Sequence, residues 1–245
     1  QRFEFMSKFV QMVLNGELVS TMITGSGGLG KTFTVLEELE KAGLEPVDVD
    51  LIEELEEGDV ANMTGDYIIV KGYATPKALY ATLYENRNRL IIFDDCDSIL
   101  RDPTALNILK GALDSYDTRR ISWLSKGFFD DGLPRSFEFK GQVIFISNLS
   151  PDKIDKAVKS RTILTDLSMT LDDKIERMRF ILPNILPNIG MDVKEATMDY
   201  LEDHAEEAVE FNLRTLMMAA RVVNSYGLKN DTMWKDAVKY ILTSA

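Results

Sequence analysis

The stretch GSGGLGKT, residues 25–32, follows directly on the apolar run LVSTMIT and opens into TFTVLEELEKAG. Four glycines crowd around one lysine. Glycine allows backbone conformations that side chains forbid and keeps Cβ atoms out of a tight turn. Set between a buried strand and an amphipathic helix, such a loop points its N–H groups inward around an anion. The helix start adds its own free N–H groups and positive dipole end. The spacing G-x-x-x-x-G-K-[ST] falls on Gly25, Gly30, Lys31 and Thr32. It predicts a triphosphate cradle formed by Gly25, Ser26, Gly27, Gly28, Leu29, Gly30, Lys31, Thr32 and Phe33. In that cradle Lys31 reaches the β- and γ-phosphates, and the Thr32 hydroxyl serves Mg²⁺. The plainer alternative is a glycine-rich turn that binds nothing; the strand and helix in register on either side argue against it.

The rest of the chain supplies a fold for such a loop. Its 245 residues suffice for one large domain or two modest ones. Short apolar runs at Leu18–Thr24, Tyr67–Val70, Leu90–Phe93 and Val143–Ser147, with a weaker one at Thr162–Leu167, read as buried parallel strands. Helix starts are marked between them by Thr75-Pro76, Asp102-Pro103 and Ser150-Pro151, each a capping residue before a proline. Strand–helix alternation predicts an α/β sheet over residues 1–168. Residues 169–245 show helical periods only, in LDDKIERMRFILPNI, KEATMDYLEDHAEEA, LRTLMMAARVVNSY and TMWKDAVKYIL, and predict a small all-helical domain.

Composition removes several function classes. One cysteine, Cys96, and one histidine, His204, exclude an internal disulfide and argue against a Cys/His zinc site or a Cys–His nucleophile. His204, flanked by acids in LEDHAEEA, reads as an ordinary helix-surface residue. No apolar run approaches a membrane span. With no signal-peptide pattern either, a cytoplasmic protein of a bacterium or phage-infected host, without a membrane partner, is expected. Gln1 in place of methionine suggests that an N-terminal piece has been removed. The net charge of −12 argues against bulk nucleic-acid binding, but it is local. Residues 33–66 hold twelve acids and one base; the remainder carries 28 acids and 27 bases, which leaves other surfaces free to be basic.

A second acidic feature completes the loop's chemistry. LIIFDDCD places Asp94 and Asp95 at the end of an apolar run. Asp94 suits the Mg²⁺ sphere, directly or through water, and Asp95 suits the orientation or polarisation of an attacking water. Alone, this would be a strand ending in an acidic turn; the phosphate loop upstream gives it a task.

Taken in order along nearly the whole chain, five segments resemble the AAA+ ATPases. GSGGLGKT resembles Walker A and LIIFDD resembles Walker B. VIFISN resembles the sensor 1 strand ending in Asn148, KAVKSRT the segment carrying an arginine finger at Arg161, and NLRTL sensor 2, with Arg214 on a lid helix. The spacing also evokes phage-encoded members. The resemblance implies a parallel P-loop sheet in order 5-1-4-3-2 followed by a helical lid, and Mg-ATP hydrolysis at the subunit boundaries of a ring, most often a hexamer. It implies that Asn148 holds a water against the γ-phosphate, that Arg161 acts on a neighbouring subunit's nucleotide, and that Arg214 reports nucleotide state. Plainer readings stand beside these: a turn residue for Asn148, a helix-end cation for Arg161, a helix-surface base for Arg214. Walker B usually ends Asp-Glu; Asp95 is one methylene shorter, which points to slow turnover.

Substrate contacts are expected in two places. Lys71 and Tyr73, in VKGYATPKAL, sit where family members often carry a pore loop; packing of Tyr73 on the following helix is the alternative. In RRISWLSKGFFDDGLPRSFEFKG, alternating ISWLS and SFEFK around a turn-rich centre read as a β-hairpin resembling the pre-sensor 1 hairpin. There Arg119, Arg120, Lys126, Arg135 and Lys140 outnumber Asp130, Asp131 and Glu138, and Trp123, Phe128 and Phe129 interleave with the bases. Such a surface could track phosphates and stack bases, push a polypeptide, or touch only a ring neighbour. The expected activity is accordingly a DNA motor or remodeller in replication or DNA handling, with a protein unfoldase or a slowly hydrolysing ATP-dependent switch or loader as alternatives. A small-molecule kinase fits less well, because SRT and NLRTL have no obvious place in one.

Overall fold

The structure is a computed structural model that describes residues 2–47, 65–124 and 132–244. Two compact units result: Gln1–Ser26 with Lys31–Leu167, and Gly27–Gly30 with Ser168–Ala245.

Among the described residues the first unit is built on five parallel strands, β1 (Ser20–Thr24), β2 (Tyr67–Lys71), β3 (Leu90–Asp94), β6 (Gln142–Ile146) and β7 (Ile163–Asp166), in spatial order β2-β3-β6-β1-β7. Strands β1 and β3 are buried at every position, as continuous apolar runs of a covered parallel sheet require. Side chains alternate across the sheet, so Met22, Ile91, Phe93, Val143 and Phe145 share one core with Leu79, Tyr80 and Leu83 of α3 (Pro76–Glu85) and Ile108 and Leu109 of α4 (Pro103–Ala112). The helix α1 (Arg2–Leu14) packs on β1, β6, β7 and α2 (Lys31–Lys41). The strand pairing puts Lys71 opposite Asp94, and Asp94 opposite Ile146, which gathers three strand ends at one edge.

Proline punctuation worked twice and stopped short once. Thr75 accepts the Ala78 amide and Asp102 accepts those of Thr104 and Ala105, capping α3 and α4. Ser150-Pro151 opens only a three-residue 3₁₀ turn, Pro151–Lys153, with no side-chain cap. Ile154 then turns inward, 3% exposed, and Asp155 caps a new short helix, α5 (Lys156–Lys159). Burial of one isoleucine, worth roughly 1.5–3 kcal/mol, outweighs continuing the turn.

The hairpin forms as β4 (Arg120–Ser122) antiparallel to β5 (Ser136–Glu138), with Ile121 opposite Phe137. Its aromatic face is committed to α3: the Trp123 and Phe137 rings both meet Tyr80 edge-on, at 5.7 and 5.1 Å between centroids.

The second unit contains α6 (Leu171–Ile181), α7 (Met191–Asp203), α8 (Leu213–Tyr226) and α9 (Asp231–Ser244). Thr170 and Asp173 form a reciprocal capping box at the start of α6. Asn212 caps α8 by accepting the Arg214 and Thr215 amides. The core joins Met198 and Leu201 of α7, Leu216, Ala219 and Val223 of α8, and Trp234, Val238 and Leu242 of α9. His204 lies at the end of α7, where Nδ1 pairs with Tyr200 O at 2.9 Å and the ring stacks on Tyr200. Among the described residues no helix is long and apolar enough to cross a membrane.

Candidate functional site

The glycine loop leaves β1 at the edge where β3 and β6 also end. Lys31, the first residue of α2, is only 6% exposed. Its ammonium folds back over the loop and donates to Gly25 O at 2.7 Å, Ser26 O at 2.9 Å and Asn148 Oδ1 at 2.8 Å. The other end of the same amide donates from Asn148 Nδ2 to Asp95 Oδ1 at 2.7 Å. Lys31, Asn148 and Asp95 are thus one continuous hydrogen-bonded chain drawn from three loops. Gly25 has φ +138, and a Cβ there would stand 3.2 Å from Leu167, so both backbone conformation and space call for glycine.

Beside that chain, the Thr32 hydroxyl donates to Asp94 at 3.0 Å (Oδ1) and 3.2 Å (Oδ2). Asp94 is 6% exposed and closes β3. One hydroxyl and one carboxylate fit Mg²⁺, which binds through one or two carboxylates plus substrate phosphates and retained waters. Among the described residues no group of three or more His, Cys, Asp or Glu is placed to cage an ion, so the phosphates would supply the remaining ligands.

Asp95 holds a left-handed backbone at φ +55, uncommon for a residue with a Cβ. Its amide donates to Ile146 O at 2.9 Å, which ties the turn after β3 to the end of β6 and keeps its exposed carboxylate beside Asn148. Cys96, next in the chain, is 2% exposed and its Sγ donates to Val70 O at 3.4 Å. Burial, then the neighbouring Asp94, Asp97 and Asp95, push its thiol up to about 11. Only about one molecule in a thousand is then thiolate at pH 8. We expect native protein to resist iodoacetamide at that pH and to react once unfolded; rapid alkylation of folded protein would contradict this burial.

In the helical unit, the loop tip Gly27–Gly30 meets the start of α8. Leu213 N donates to Gly28 O at 3.0 Å. A Cβ on Gly28, whose φ is +71, would lie 2.6 Å from the Asn212 side chain. The Arg214 guanidinium is 3.6 Å from where a Cβ on Gly27 would stand. Leu29 is 3% exposed, and Phe33, on the exposed side of α2, is 66% exposed.

The remaining candidates are dispersed. Arg161 lies just past α5, where Nη1 donates to Ala157 O at 3.0 Å and to Ser160 Oγ at 3.5 Å; within one chain it caps its own helix. Lys71 pairs with Asp94, Nζ to Oδ2 3.5 Å, so it stands at the candidate metal seat. Tyr73 is 81% exposed and does not pack on α3. Arg135 is exposed on the hairpin, and Arg120 donates to Ser136 Oγ at 3.0 Å. Arg119 is spent internally: it donates to Ala112 O at 3.0 Å, lies over the Phe139 ring and is held below its usual pKa by burial. Lys126, Phe128 and Phe129 lie outside the described residues, as do Asp130, Asp131 and residues 48–64 of the acidic stretch.

Sequence reading missed Ser147 and Asp97, which bond to each other beside Asn148, and the contact of Lys71 with Asp94. Both depend on which strands are neighbours, and no local spacing signals that.

No family model matches the chain. The chain is similar, at 30% identity over 189 residues, to a protein of Enterobacteria phage T4 described as the "uncharacterized 36.7 kDa protein in nrdC-mobD intergenic region". The match covers 71% of this chain and 53% of the phage protein, so the chain spans about half the length of that relative.

Proposed function

We propose that the chain is an AAA+-type ATPase that hydrolyses Mg-ATP at the subunit boundaries of a homo-oligomeric ring and acts on DNA. The observation carrying this reading is the Lys31–Asn148–Asp95 hydrogen-bonded chain beside the Thr32–Asp94 pair. Sheet order supports it. Numbered by chain position among the five sheet strands, β2-β3-β6-β1-β7 reads 2-3-4-1-5, which reversed is the order the resemblance implies. The helical stretch from Ser168 follows the sheet strands in chain order, which is the order the resemblance implies for a lid.

In this reading the loop N–H groups and Lys31 bind the β- and γ-phosphates. Thr32 and Asp94 would hold Mg²⁺, which would supply neutralising charge to those phosphates. Asn148 and Asp95 orient a water in line with the γ-phosphorus, and Asp95 accepts its proton. Arg214 contacts the γ-phosphate. Arg161 leaves its own helix end to stabilise the transition state of a neighbour's nucleotide.

Phosphate release from Mg-ATP by the purified protein tests the activity. The expected result is slow basal turnover that DNA stimulates, with the stimulation falling steeply as salt rises. Stimulation by unfolded protein would favour the unfoldase reading. Assembly on ATP with negligible turnover would favour the switch, for which the short Asp95 speaks.

The role of Arg161 has its own test. Arg161→Ala chains lack the finger and Asp95→Asn chains lack the base, so neither turns over alone. Mixed one to one, rings regain intact boundaries and about a quarter of wild-type activity by random placement. A mixture as inactive as its components would remove Arg161 from the neighbour's site.

A further inference from the structure

Ser147 and Asp97 have no part in the phosphate contacts proposed above, yet they hold the residue on which those contacts converge. Ser147 is fully buried where β6 gives way to Asn148. Its amide donates to Ile23 O in β1 at 2.9 Å. Its hydroxyl donates to Asp97 Oδ1 at 2.6 Å and accepts the Leu149 amide at 3.0 Å. Asp97 stands two residues beyond Asp95, in the turn after β3. One residue therefore joins the strand that feeds the glycine loop, the turn that carries Asp95 and the turn that carries Asn148. Both chain neighbours of Asn148 are fixed by the same oxygen.

We infer that Ser147 and Asp97 are positioning residues, a hydroxyl–carboxylate latch with a fully buried hydroxyl and a half-buried carboxylate, which sets the separation of Asn148 and Asp95 and so the aim of the attacking water. This rests on the ATPase reading. A short O–H···O⁻ bond is charge-assisted and directional, and the burial of Ser147 keeps water from replacing its partner at the hydroxyl. Asn148 could reach Lys31 and Asp95 together only while the two turns keep their spacing, because its side chain has two rotatable bonds and both ends of its amide are engaged.

The test compares Ser147→Ala, Asp97→Asn and the double variant for kcat, for fluorescent ADP affinity and for thermal midpoint. Misplacing a reacting group by about 1 Å costs on the order of 10²-fold in rate. We expect kcat to fall roughly that far in Ser147→Ala and about tenfold in Asp97→Asn, which keeps the volume and an acceptor oxygen. ADP affinity should stay within about threefold of wild type, because binding uses the glycine loop and Lys31. The double variant should be no worse than Ser147→Ala, as befits a unit. Should Ser147→Ala prove too unstable to assay, the split between kcat and affinity in Asp97→Asn carries the test. Wild-type kcat in either stable variant, multiplicative losses in the double, or equal losses of kcat and ADP affinity would overturn the latch. A wild-type protein that binds ADP but never turns over ATP would overturn the ATPase reading itself.

Discussion

Lys31→Met is expected to abolish nucleotide binding at concentrations that the account predicts to saturate the wild type. The variant keeps the length and apolar stem of lysine but removes the ammonium, which here lies within 2.9 Å of three loop and amide oxygens. Each hydrogen bond to a charged phosphate is worth about 1.5–3 kcal/mol, so losing two weakens binding by about a hundredfold or more. The empty loop is loosened as well, since the Gly25 and Ser26 carbonyls lose their donor. A titration with fluorescent ATP reads the effect, and circular dichroism checks that the fold survives. Affinity within a few-fold of wild type would separate Lys31 from the phosphates.

Asp95→Asn gives the opposite split: binding retained, turnover lost. The substitution preserves shape and removes the basic oxygen that faces Asn148 at 2.7 Å. Loss of a positioned general base costs about 10²–10⁴-fold in rate. The variant should therefore trap ATP and, if rings form, hold them assembled. Single-turnover kinetics distinguishes slow chemistry from slow release. Wild-type rates would remove Asp95 from the mechanism and leave its left-handed backbone without a functional account.

Features encoded within a few residues are legible in the amino-acid sequence alone. The apolar runs mark all five described sheet strands to within two residues at each end, because a largely apolar run of strand length is itself the local signal. Thr75 and Asp102 mark two helix starts, because a cap is a contact between near neighbours. The glycine loop and the acidic end of β3 are equally local. What could not be read spans the sheet. Ser147 meets Asp97 across fifty residues, and Lys71 meets Asp94 only because β2 and β3 are paired in that register. Lys71, read as a substrate contact, also pairs with the candidate metal ligand. Trp123, read among base-stacking aromatics, is held against Tyr80. Arg119, counted as basic surface, is buried. For Trp123 and Arg119, packing decided between uses that charge or aromaticity alone left open.

Calorimetric titration of the wild-type protein with ATP, in Mg²⁺ and again with the metal chelated, tests the central claim most directly. The account predicts one saturable site per chain, tighter with Mg²⁺ than without it, through Thr32 and Asp94. Folded protein that takes up no ATP under either condition would contradict it.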